Sequence, residues 1–234
     1  MAVLIDNPPT WRLQLNGIGP EGFVQFNRPW FRRLRPTSVL DVGANRGQFA
    51  QVISTVLPDV PVYSFEPLPD CFDALVRLSR TYPSIRGFQV AVGDKAGTVT
   101  MFRNAYSDSS SLRAMRELHK QQFPFTAKPE TEVEVQVVTL DDACRGLALG
   151  SRPFLKIDVQ GFEEKVILGA DAVLAMAVAA VIEVSFEPLY EGTPSFEVVC
   201  DMMRSRGFRF HGCISQLIGP LDGEILQGDA LFVR

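Results

Sequence analysis

The clearest pattern in the chain is a short apolar run followed by two glycines and an amphipathic segment. Residues 38–40 read Ser-Val-Leu and lead into Asp41, and Gly43 and Gly47 follow closely. The next apolar residues recur at the spacing of one helical face: Phe49, Val52, Ile53, Val56 and Leu57. The pattern predicts a buried strand, a tight glycine turn and a helix, the first half of a nucleotide-binding β-α-β unit.

Further apolar runs predict alternating strands and helices along the rest of the chain. The predicted strands span residues 62–65, 85–92, 154–158, 178–184, 208–210 and 230–233, and the predicted helices span residues 70–79, 162–168 and 194–206. Residues 98–103 and 132–138 alternate apolar with polar positions, as half-exposed antiparallel strands do. This order predicts a doubly wound α/β sheet with a small antiparallel insertion.

The first 36 residues have a different character. Residues 1–19 are predicted to form an extended arm, and residues 20–34 one helix with aromatic residues on one side and arginines on the other. We interpret the arginine side as a solvated face in preference to a contact for an acidic substrate or membrane surface. The predicted division is therefore an N-terminal arm and helix (1–36) and a main domain (37–234), within a single domain overall.

The arm contains Asn7-Pro8-Pro9, which is similar to a motif of enzymes that methylate amino groups of nucleobases. The next residue is Thr10 and no apolar strand precedes the motif, so the arm remains the preferred interpretation. The chain also has 27 acidic against 23 basic residues, a net charge of −4, which argues against a nucleic-acid partner.

Composition indicates a globular protein, with 46% hydrophobic and 21% charged residues. We expect a soluble, cytoplasmic location, because no signal peptide is evident and the longest apolar run, residues 172–182, is well short of the roughly 20 residues that span a bilayer. The four cysteines lie far apart and are interpreted as reduced thiols. A homo-oligomer stays open.

Acidic residues near strand ends indicate which cofactor the glycine turn serves. Glu66 follows the second predicted strand, where a carboxylate can accept two hydrogen bonds from a ribose diol. Asn45 holds the position of a third glycine, and Asn tolerates positive φ. Asp41 would repel a pyrophosphate but suits a cationic ligand. S-adenosylmethionine carries an ammonium and a sulfonium group and no phosphate, so it fits better than a dinucleotide.

Seven motifs occur together and in order: DVGANRGQF, SFEPLP, VAVGD, SSSL, VVTLDD, FLKIDVQGFEEKVILGA and VIEVSFEPLY. Over residues 37–234 this combination resembles the FkbM-type family of S-adenosylmethionine-dependent methyltransferases. The resemblance implies a Rossmann-like class I methyltransferase fold, with a mostly parallel seven-stranded sheet, its last strand antiparallel, and helices on both faces. It also implies O-methylation of a small molecule or glycan, often at a sugar hydroxyl.

The resemblance also implies roles for residues that match the family's motifs. Those matching the cofactor site are Asp41, Gly43, Ala44, Asn45, Gly47, Glu66, Pro67 and Asp158. Asp158 also matches the acid beside the reaction centre. Gln160 stands where many relatives carry Glu, so an acid at that position cannot be assumed to act here, and we place Gln160 among the residues that contact the acceptor.

Methyl transfer to an alcohol needs a base within hydrogen-bond reach of the hydroxyl. Asp158 is the first candidate, because the carboxyl ends of strands form the ligand crevice in open α/β sheets. Glu183 and His119 are the reserves. Lys156 lies in a buried strand and must be paired, with Asp158 or Glu183 as the expected partner. A magnesium ion at Asp158 and Glu183 is the less favoured alternative, and no metal site is predicted.

Residues 104–130 are polar and irregular, and long loops of this kind usually have a function. We predict a lid over the acceptor site that proteases cut first. Ser109, Ser110, Ser111 and His119 would offer hydrogen bonds to a polyhydroxylated acceptor, and Phe123 and Phe125 would cover its apolar face.

Two other functions stay open. An NAD-linked sugar oxidoreductase needs a pyrophosphate turn and a Tyr-x-x-x-Lys pair, but none of the four tyrosines has a lysine four residues later. A non-enzymatic nucleoside-binding module would tolerate the loss of Glu66 or Asp158, yet both residues are present.

Overall fold

The structure is a computed structural model that describes Leu13 and residues 18–128 and 131–234. Most of the predicted N-terminal arm, including Asn7-Pro8-Pro9, lies outside the described residues. The strands are β1 Ser38–Val42, β2 Val62–Phe65, β3 Ile85–Phe88, β4 Ala91–Val92, β5 Gly97–Arg103, β6 Thr131–Val138, β7 Pro153–Ile157, β8 Ala179–Ser185, β9 Arg209–Ile218 and β10 Ile225–Val233. The α-helices with described bounds are α1 Pro20–Phe26, α2 Pro29–Leu34, α3 Gln48–Val56, α4 Pro69–Ser79, α5 Glu117–Gln122, α6 Leu140–Ala143, α7 Glu163–Leu168, α8 Asp171–Met176 and α9 Phe196–Ser205.

Seven strands form the main sheet in the order β3-β2-β1-β7-β8-β10-β9. The neighbouring pairs from β3 to β8 are parallel, and β10 runs antiparallel to both β8 and β9. This is the predicted class I methyltransferase sheet, confirmed with its antiparallel last strand. Strands β1, β2 and β7 are buried at nearly every position because both faces of the sheet are covered.

A second sheet has the order β4-β6-β5, with β5 antiparallel to β6, and is the predicted antiparallel insertion. It corrects the predicted strand over residues 85–92. The chain leaves the main sheet after Phe88, where the amide of Val90 donates to the carbonyl of Phe88 (3.0 Å), and Ala91–Val92 then pairs with β6. An apolar run cannot show by itself that a tight turn divides it between two sheets.

Side chains alternate between the two faces of the main sheet, so each face has its own core. Leu40, Leu155 and Ile182 pack against helices α6 to α9 on one face. Val39, Phe154 and Val181 pack against α1, α2 and α3 on the other. Helices therefore cover both faces, as predicted.

The prediction of one continuous helix over residues 20–34 is wrong. The stretch forms two helices, α1 and α2, separated at Asn27 and Arg28, and Arg28 is extended. Pro29 explains the break, since proline lacks a backbone N–H and disfavours helical backbone at the preceding residue. The aromatic side is buried as expected, with Phe31 in edge contact with Phe26 (5.1 Å between ring centroids) and Phe154 (5.0 Å). The predicted arginine side is exposed: Arg28, Arg32, Arg33 and Arg35.

The two closing strands are longer than predicted, since β9 and β10 form a hairpin that extends well beyond residues 208–210 and 230–233. Most residues of β9 are exposed, so the strand lacks the regular apolar alternation from which its full length could have been predicted. Within the described part of the chain, no helix is both long enough and apolar enough to cross a membrane.

Candidate active site

The carboxyl ends of β1, β2, β7 and β8 meet at a cavity of about 450 Å³. Its wall includes Gly43, Glu66, Asp158, Gln160 and Glu183. The structure thus brings together, at one edge of the sheet, acids that lie far apart in sequence. This is the edge at which open α/β sheets bind ligands.

A second cavity of about 420 Å³ lies on the other side of the glycine turn, beneath α1. Gly43, Asn45, Asp108 and Asp158 line both cavities, and Ala44 lines the second. The turn between β1 and α3 therefore separates two spaces that share its backbone.

The glycine turn has the backbone that its sequence requires. Gly43, Asn45 and Gly47 all have positive φ, at 80°, 46° and 84°. A Cβ at Gly43 would overlap the carbonyl oxygen of Asp158, and one at Gly47 would lie 2.5 Å from Leu78 Cδ1. Only glycine at position 43 allows the turns after β1 and β7 to touch, while Asn45 tolerates the left-handed region as predicted.

Glu66 holds the glycine turn against the turn after β2. Its Oε2 accepts from the amide of Asn45 (2.9 Å) and its Oε1 from the amide of Leu68 (2.9 Å). Burial raises the pKa of Glu66 to about 7 despite these two hydrogen bonds. Each oxygen keeps a second lone pair, so the carboxylate can still accept from a ribose diol. Pro67 lies beside it in the cavity wall.

Asp41 is fully buried and is not part of either cavity wall. Ser64 Oγ donates to its Oδ2 (3.4 Å), and Lys156 Nζ lies 3.6 Å from its Oδ1. Burial raises the pKa of Asp41, with Lys156 opposing the rise. Asp41 therefore lies beneath the glycine turn, and Lys156 lies between it and the cavity.

Lys156 pairs with Asp158, one of its two predicted partners, and not with Glu183, the other. Its Nζ lies 3.1 Å from Asp158 Oδ2 and donates to the carbonyl of Gly43 (3.2 Å). Burial opposes the ammonium charge, but Asp158 and Asp41 outweigh it and raise the pKa of Lys156. The charged lysine therefore ties β1 to β7 directly under the glycine turn.

Glu183 faces Asp158 through an amide. Gln160 Nε2 donates to Asp158 Oδ1 (2.8 Å) and to Glu183 Oε2 (3.0 Å), and Gln227 Nε2 donates to the same Glu183 oxygen (2.9 Å). Burial raises the pKa of Glu183 well above its ordinary value, and the negative charge of Asp158 raises it further. Glu183 Oε1 accepts no hydrogen bond within the described residues, and the side chain lines the cavity.

The described part of the segment between β5 and β6, residues 104–128, contains regular structure and packs against the rest of the molecule, where the sequence predicts an irregular polar loop. It contains α5 and two short 3₁₀ turns. Met115, Leu118 and Phe123 pack against Leu189, Tyr190 and Leu226. These apolar residues are irregularly spaced, so neither helical nor strand periodicity reveals them.

Hydrogen bonds satisfy the buried polar groups of this segment. Asn104 Nδ2 donates to the carbonyl of Thr126 (2.7 Å), and Ser110 Oγ accepts from the amide of Asn104 (3.0 Å). Ser109 and Ser110 line the cavity, whereas Ser111 lies behind it and donates to the carbonyl of Gln160 (2.6 Å). Two of the three predicted serines can therefore reach a ligand in the cavity.

His119 lies on α5, inside the segment predicted to be irregular, and is buried. Its ring contacts Phe123 (5.3 Å) and Tyr190 (5.2 Å) edge-on. Burial lowers the pKa of His119 to about 4, so the imidazole is neutral near pH 7. Its Nδ1 has no hydrogen-bond partner among the described groups, and the side chain lines the cavity.

Asp108 reaches the glycine turn from the same segment. Asn45 Nδ2 donates to Asp108 Oδ1 (2.5 Å), and Ser107 Oγ donates to Asn45 Oδ1 (2.9 Å). Burial raises the pKa of Asp108, and the charge of Asp158 adds to the rise. The segment therefore closes over the turn at the junction of the two cavities.

Sequence reasoning missed four residues of this site: Asp108, Glu163, Tyr190 and Gln227. Tyr190 ends the VIEVSFEPLY motif and Glu163 belongs to the KIDVQGFE motif, so both lay within recognised motifs without an assigned role. Gln227 comes from the antiparallel strand β10, and nothing in its local sequence indicates that it meets Glu183.

The donor set fits S-adenosylmethionine. Glu66 lies beside an apolar slot formed by Leu68, Val90, Ala91 and Val92, which suits a nucleoside. Among the described residues that line the two cavities, Lys156 is the sole lysine or arginine, and it is already paired with carboxylates. The walls therefore favour a ligand with positive charge over a pyrophosphate.

Across residues 18–128 and 131–234 there is no group of three or more His, Cys, Asp or Glu placed to hold a metal ion. The Gln160 amide occupies the space between Asp158 and Glu183, where a bridging ion would have to lie.

Comparisons with known proteins agree with this geometry. The family described as "Methyltransferase FkbM domain" matches residues 41–210. The 2-O-methyltransferase NoeI of Sinorhizobium fredii (strain NBRC 101917 / NGR234) is 28% identical over 199 residues, covering 80% of this chain and 77% of that protein. The 31-O-demethyl-FK506 methyltransferase FkbM of Streptomyces tacrolimicus is 31% identical over 159 residues, covering 59% of this chain and 61% of that protein.

Among solved structures, the methyltransferase FkbM from Methylobacillus flagellatus KT matches with a TM-score of 0.54 at 15% identity. The match covers 85% of this chain but only 44% of that protein, so the chain spans less than half of its length. It supports the class I methyltransferase fold. Since the family match extends over most of the chain, the protein belongs to the FkbM family of S-adenosylmethionine-dependent methyltransferases.

Proposed function

We propose that this protein transfers a methyl group from S-adenosylmethionine to a hydroxyl of a small molecule or glycan, with a sugar hydroxyl as the acceptor. One observation carries the proposal: a single cavity has Glu66 and its apolar slot on one side and the Asp158–Gln160–Glu183 cluster on the other. The names of two relatives, a 2-O-methyltransferase and a 31-O-demethyl-FK506 methyltransferase, support O-methylation.

When bound, S-adenosylmethionine supplies an electrophilic methyl group for in-line displacement by the acceptor oxygen. The residues of the chain bind and orient. Glu66 accepts from the ribose, and the Gly43–Gly47 turn lets the backbone approach the cofactor without a Cβ in the way. The acidic walls at Asp108 and Asp158 attract the cofactor's positive charge.

Glu183 is the proposed proton acceptor, in preference to the two other candidates. Both oxygens of Asp158 are engaged, one by Lys156 and one by Gln160. His119 has a pKa of about 4, so the imidazole is a weak base. Glu183 has a raised pKa and a free oxygen, so it can take the hydroxyl proton late in the transfer and hold it. Asp158 then orients the site through Lys156 and Gln160.

The acceptor side of the cavity suits a sugar. Ser109, Ser110 and His119 offer polar groups, while Phe123 and Phe125 offer aromatic surface for the apolar face of a pyranose. Tyr106 contacts Phe125 edge-on (4.9 Å), and both rings are about half exposed at the mouth. A polar inner wall with an aromatic mouth matches a ring that carries hydroxyls on its edge.

The test is a methyl-transfer assay with S-adenosylmethionine and a panel of glycosides, set against the same panel of aglycone alcohols. Mass spectrometry should find one added methyl group on a glycoside, and the product should be an ether. Methylation at nitrogen or at a carboxylate, or methylation of the aglycone alcohols alone, would contradict the sugar O-methyltransferase.

Calorimetry should in parallel detect binding of S-adenosylhomocysteine and none of NAD. NAD binding would instead favour the oxidoreductase, and cofactor binding without any transfer would favour the nucleoside-binding module. The relatives' names support neither of these alternatives.

A further inference from the structure

The side chain of Gln160 uses both of its donor hydrogens on carboxylates. Its Nε2 lies 2.8 Å from Asp158 Oδ1 and 3.0 Å from Glu183 Oε2. A carboxamide has two N–H donors, so neither is left for an acceptor molecule. Gln160 is therefore better placed to control the two carboxylates than to contact the acceptor, which was its predicted role.

Tyr190 fixes which end of the carboxamide faces the acids. Its hydroxyl donates to Gln160 Oε1 (2.9 Å), and the ring is buried in contact with His119. If the carboxamide were reversed, its oxygen would face two carboxylates, which is electrostatically unfavourable. Tyr190 and the two acids thus select the same orientation from opposite ends.

The backbone of Gln160 is held in an uncommon conformation. Its φ is 56°, in the left-handed region that residues other than glycine rarely adopt. Ser111 Oγ donates to its carbonyl (2.6 Å), and Glu163 Oε1 accepts from the amides on either side, those of Val159 and Gly161 (both 3.1 Å). Contacts from two other segments therefore maintain a strained turn that aims one amide nitrogen between two acids.

We propose that Gln160 is a positioning residue, oriented by Tyr190, that holds Asp158 and Glu183 together as a pair and keeps Glu183 Oε1 free for the acceptor's proton. The inference rests on the proposed function in taking Glu183 as the proton acceptor. The other charged or titratable groups around Glu183 are Lys156 of β7, Glu163 of α7, Asp229 of β10 and His119 of α5.

Hydrogen bonds to a carboxylate favour its charged form, so their loss raises its proton affinity. Gln160→Met removes both donors and keeps an unbranched side chain of similar length. We expect the pKa of Glu183 to rise by about one to two units, the effect of losing a hydrogen bond to a charged group. Tyr190→Phe should cause a smaller rise, because the amide can then turn.

Gln227→Met is the matched control. It removes one donor from the same Glu183 oxygen but leaves the link between Asp158 and Glu183 intact. Its effect on the pKa of Glu183 should therefore resemble the loss of one hydrogen bond to that oxygen. Tyr190 contacts neither carboxylate, so Tyr190→Phe shifts the pKa of Glu183 only if Tyr190 acts through Gln160.

The experiment is a carboxyl ¹³C NMR titration of protein labelled at Glu side chains, with the Glu183 signal assigned from Glu183→Gln. If the titration of Glu183 in folded Gln160→Met and Tyr190→Phe matches the wild type, the proposal is overturned. The same holds if the titration of Glu183 moves in Gln227→Met but not in Gln160→Met. Should Gln160→Met fail to fold, the Tyr190→Phe titration decides.

Activity gives the second arm. The acidic limb of the pH–rate profile should move upward by about the same one to two units in Gln160→Met. A protein that binds no S-adenosylhomocysteine would refute the proposed function, while the NMR titration would still decide the role of Gln160.

Discussion

Glu66 accepts one hydrogen bond at each of its carboxylate oxygens, from amides on two different turns. The residue that would bind the ribose therefore also shapes the glycine turn. Its substitution should affect cofactor affinity and local structure together, which changes how a binding measurement has to be designed.

Glu66→Ala should weaken S-adenosylhomocysteine binding by about 10- to 150-fold, because a charge-assisted hydrogen bond contributes roughly 1.5–3 kcal/mol. It should also lower the thermal midpoint, since the amides of Asn45 and Leu68 lose their acceptor. Calorimetry and thermal unfolding measure the two effects. Asp70→Ala is the control, because Asp70 lies on the next helix and pairs with Arg46 and Arg103 outside the cavity. Unchanged affinity in folded Glu66→Ala would mean that the ribose binds elsewhere.

The proton acceptor is a second prediction at this scale. Glu183→Gln should reduce turnover by about 10²- to 10⁴-fold, the range for loss of a general base, while cofactor affinity stays within a few-fold. Asp158→Asn should reduce turnover less, because Asp158 orients Lys156 and Gln160. The comparison uses single-turnover kinetics with saturating cofactor. The reverse order of effects would restore Asp158 as the base.

At the scale of elements, the turn between β7 and α7 is organised by a buried acid. Glu163 Oε1 accepts from the amides of Val159 and Gly161, and burial raises the pKa of Glu163 to about 7. The native state therefore binds this proton more tightly than the unfolded chain, where the pKa of a glutamate is near its ordinary value of 4.5. The stabilising contribution is present below about pH 4.5 and is lost as pH rises through about 7.

Glu163→Gln keeps an oxygen for both amides and removes the titration. Between pH 5 and 7.5 the free energy of unfolding of the wild type should fall by roughly 1–3 kcal/mol more than that of the variant. Urea unfolding at the two pH values provides the measurement. Glu66 has a similar shift but is present in both proteins, so the difference isolates Glu163. Parallel pH dependences would show that Glu163 is not buried as described.

Helix α5 is held by the turn of the β9–β10 hairpin. Gln122 Nε2 donates to Asp222 Oδ2 (2.6 Å), and Gln122 Oε1 accepts from the amide of Leu221 (3.3 Å). The packed segment should accordingly resist protease in the wild type, against the expectation from its polar composition. Asp222→Ala should increase cleavage between β5 and β6, and limited proteolysis followed by mass spectrometry would locate the cuts.

Asp201→Ala is the control for that experiment, since Asp201 is an exposed acid that lies on α9, not on the hairpin turn, and pairs with Arg204. Rapid cleavage of the wild-type segment, slowed by S-adenosylhomocysteine, would instead favour the mobile lid expected from the sequence.

At the scale of the whole molecule, the N-terminal helices complete one of the two cores. Phe31 is fully buried against Phe26 and Phe154, and α1 forms part of the second cavity. We propose that the stretch from Pro20 onward folds with the sheet as one unit.

Phe31→Ala should lower the free energy of unfolding by about 3–5 kcal/mol, the usual range for a buried Phe. Removal of residues 1–36 should leave a chain that no longer shows a cooperative unfolding transition. Thermal unfolding by circular dichroism tests both changes. Val24→Ala, at a position that is 38% exposed on α1, should have little effect. A stable, cooperatively folded 37–234 fragment would show that the division at residue 36 is a true domain boundary.

The sequence by itself determined the parts that depend on neighbouring residues. The glycine turn follows from Gly43, Asn45 and Gly47, which supply the positive φ that the turn needs. The succession of strands and helices along the chain follows from apolar runs that alternate with segments of helical periodicity. The break between α1 and α2 is also local, because Pro29 lacks a backbone N–H. These features are local, because backbone geometry and periodicity act over a few residues.

Only the tertiary structure decided the chemistry of the cavity. Gln160 lies between Asp158 and Glu183 because β7 and β8 are adjacent, and Gln227 joins them because β10 inserts beside β8. Burial made His119 a neutral side chain and placed Asp41 beneath the turn. Burial and electrostatic coupling depend on groups distant in the chain that meet only when the sheet forms, so no local pattern could encode them.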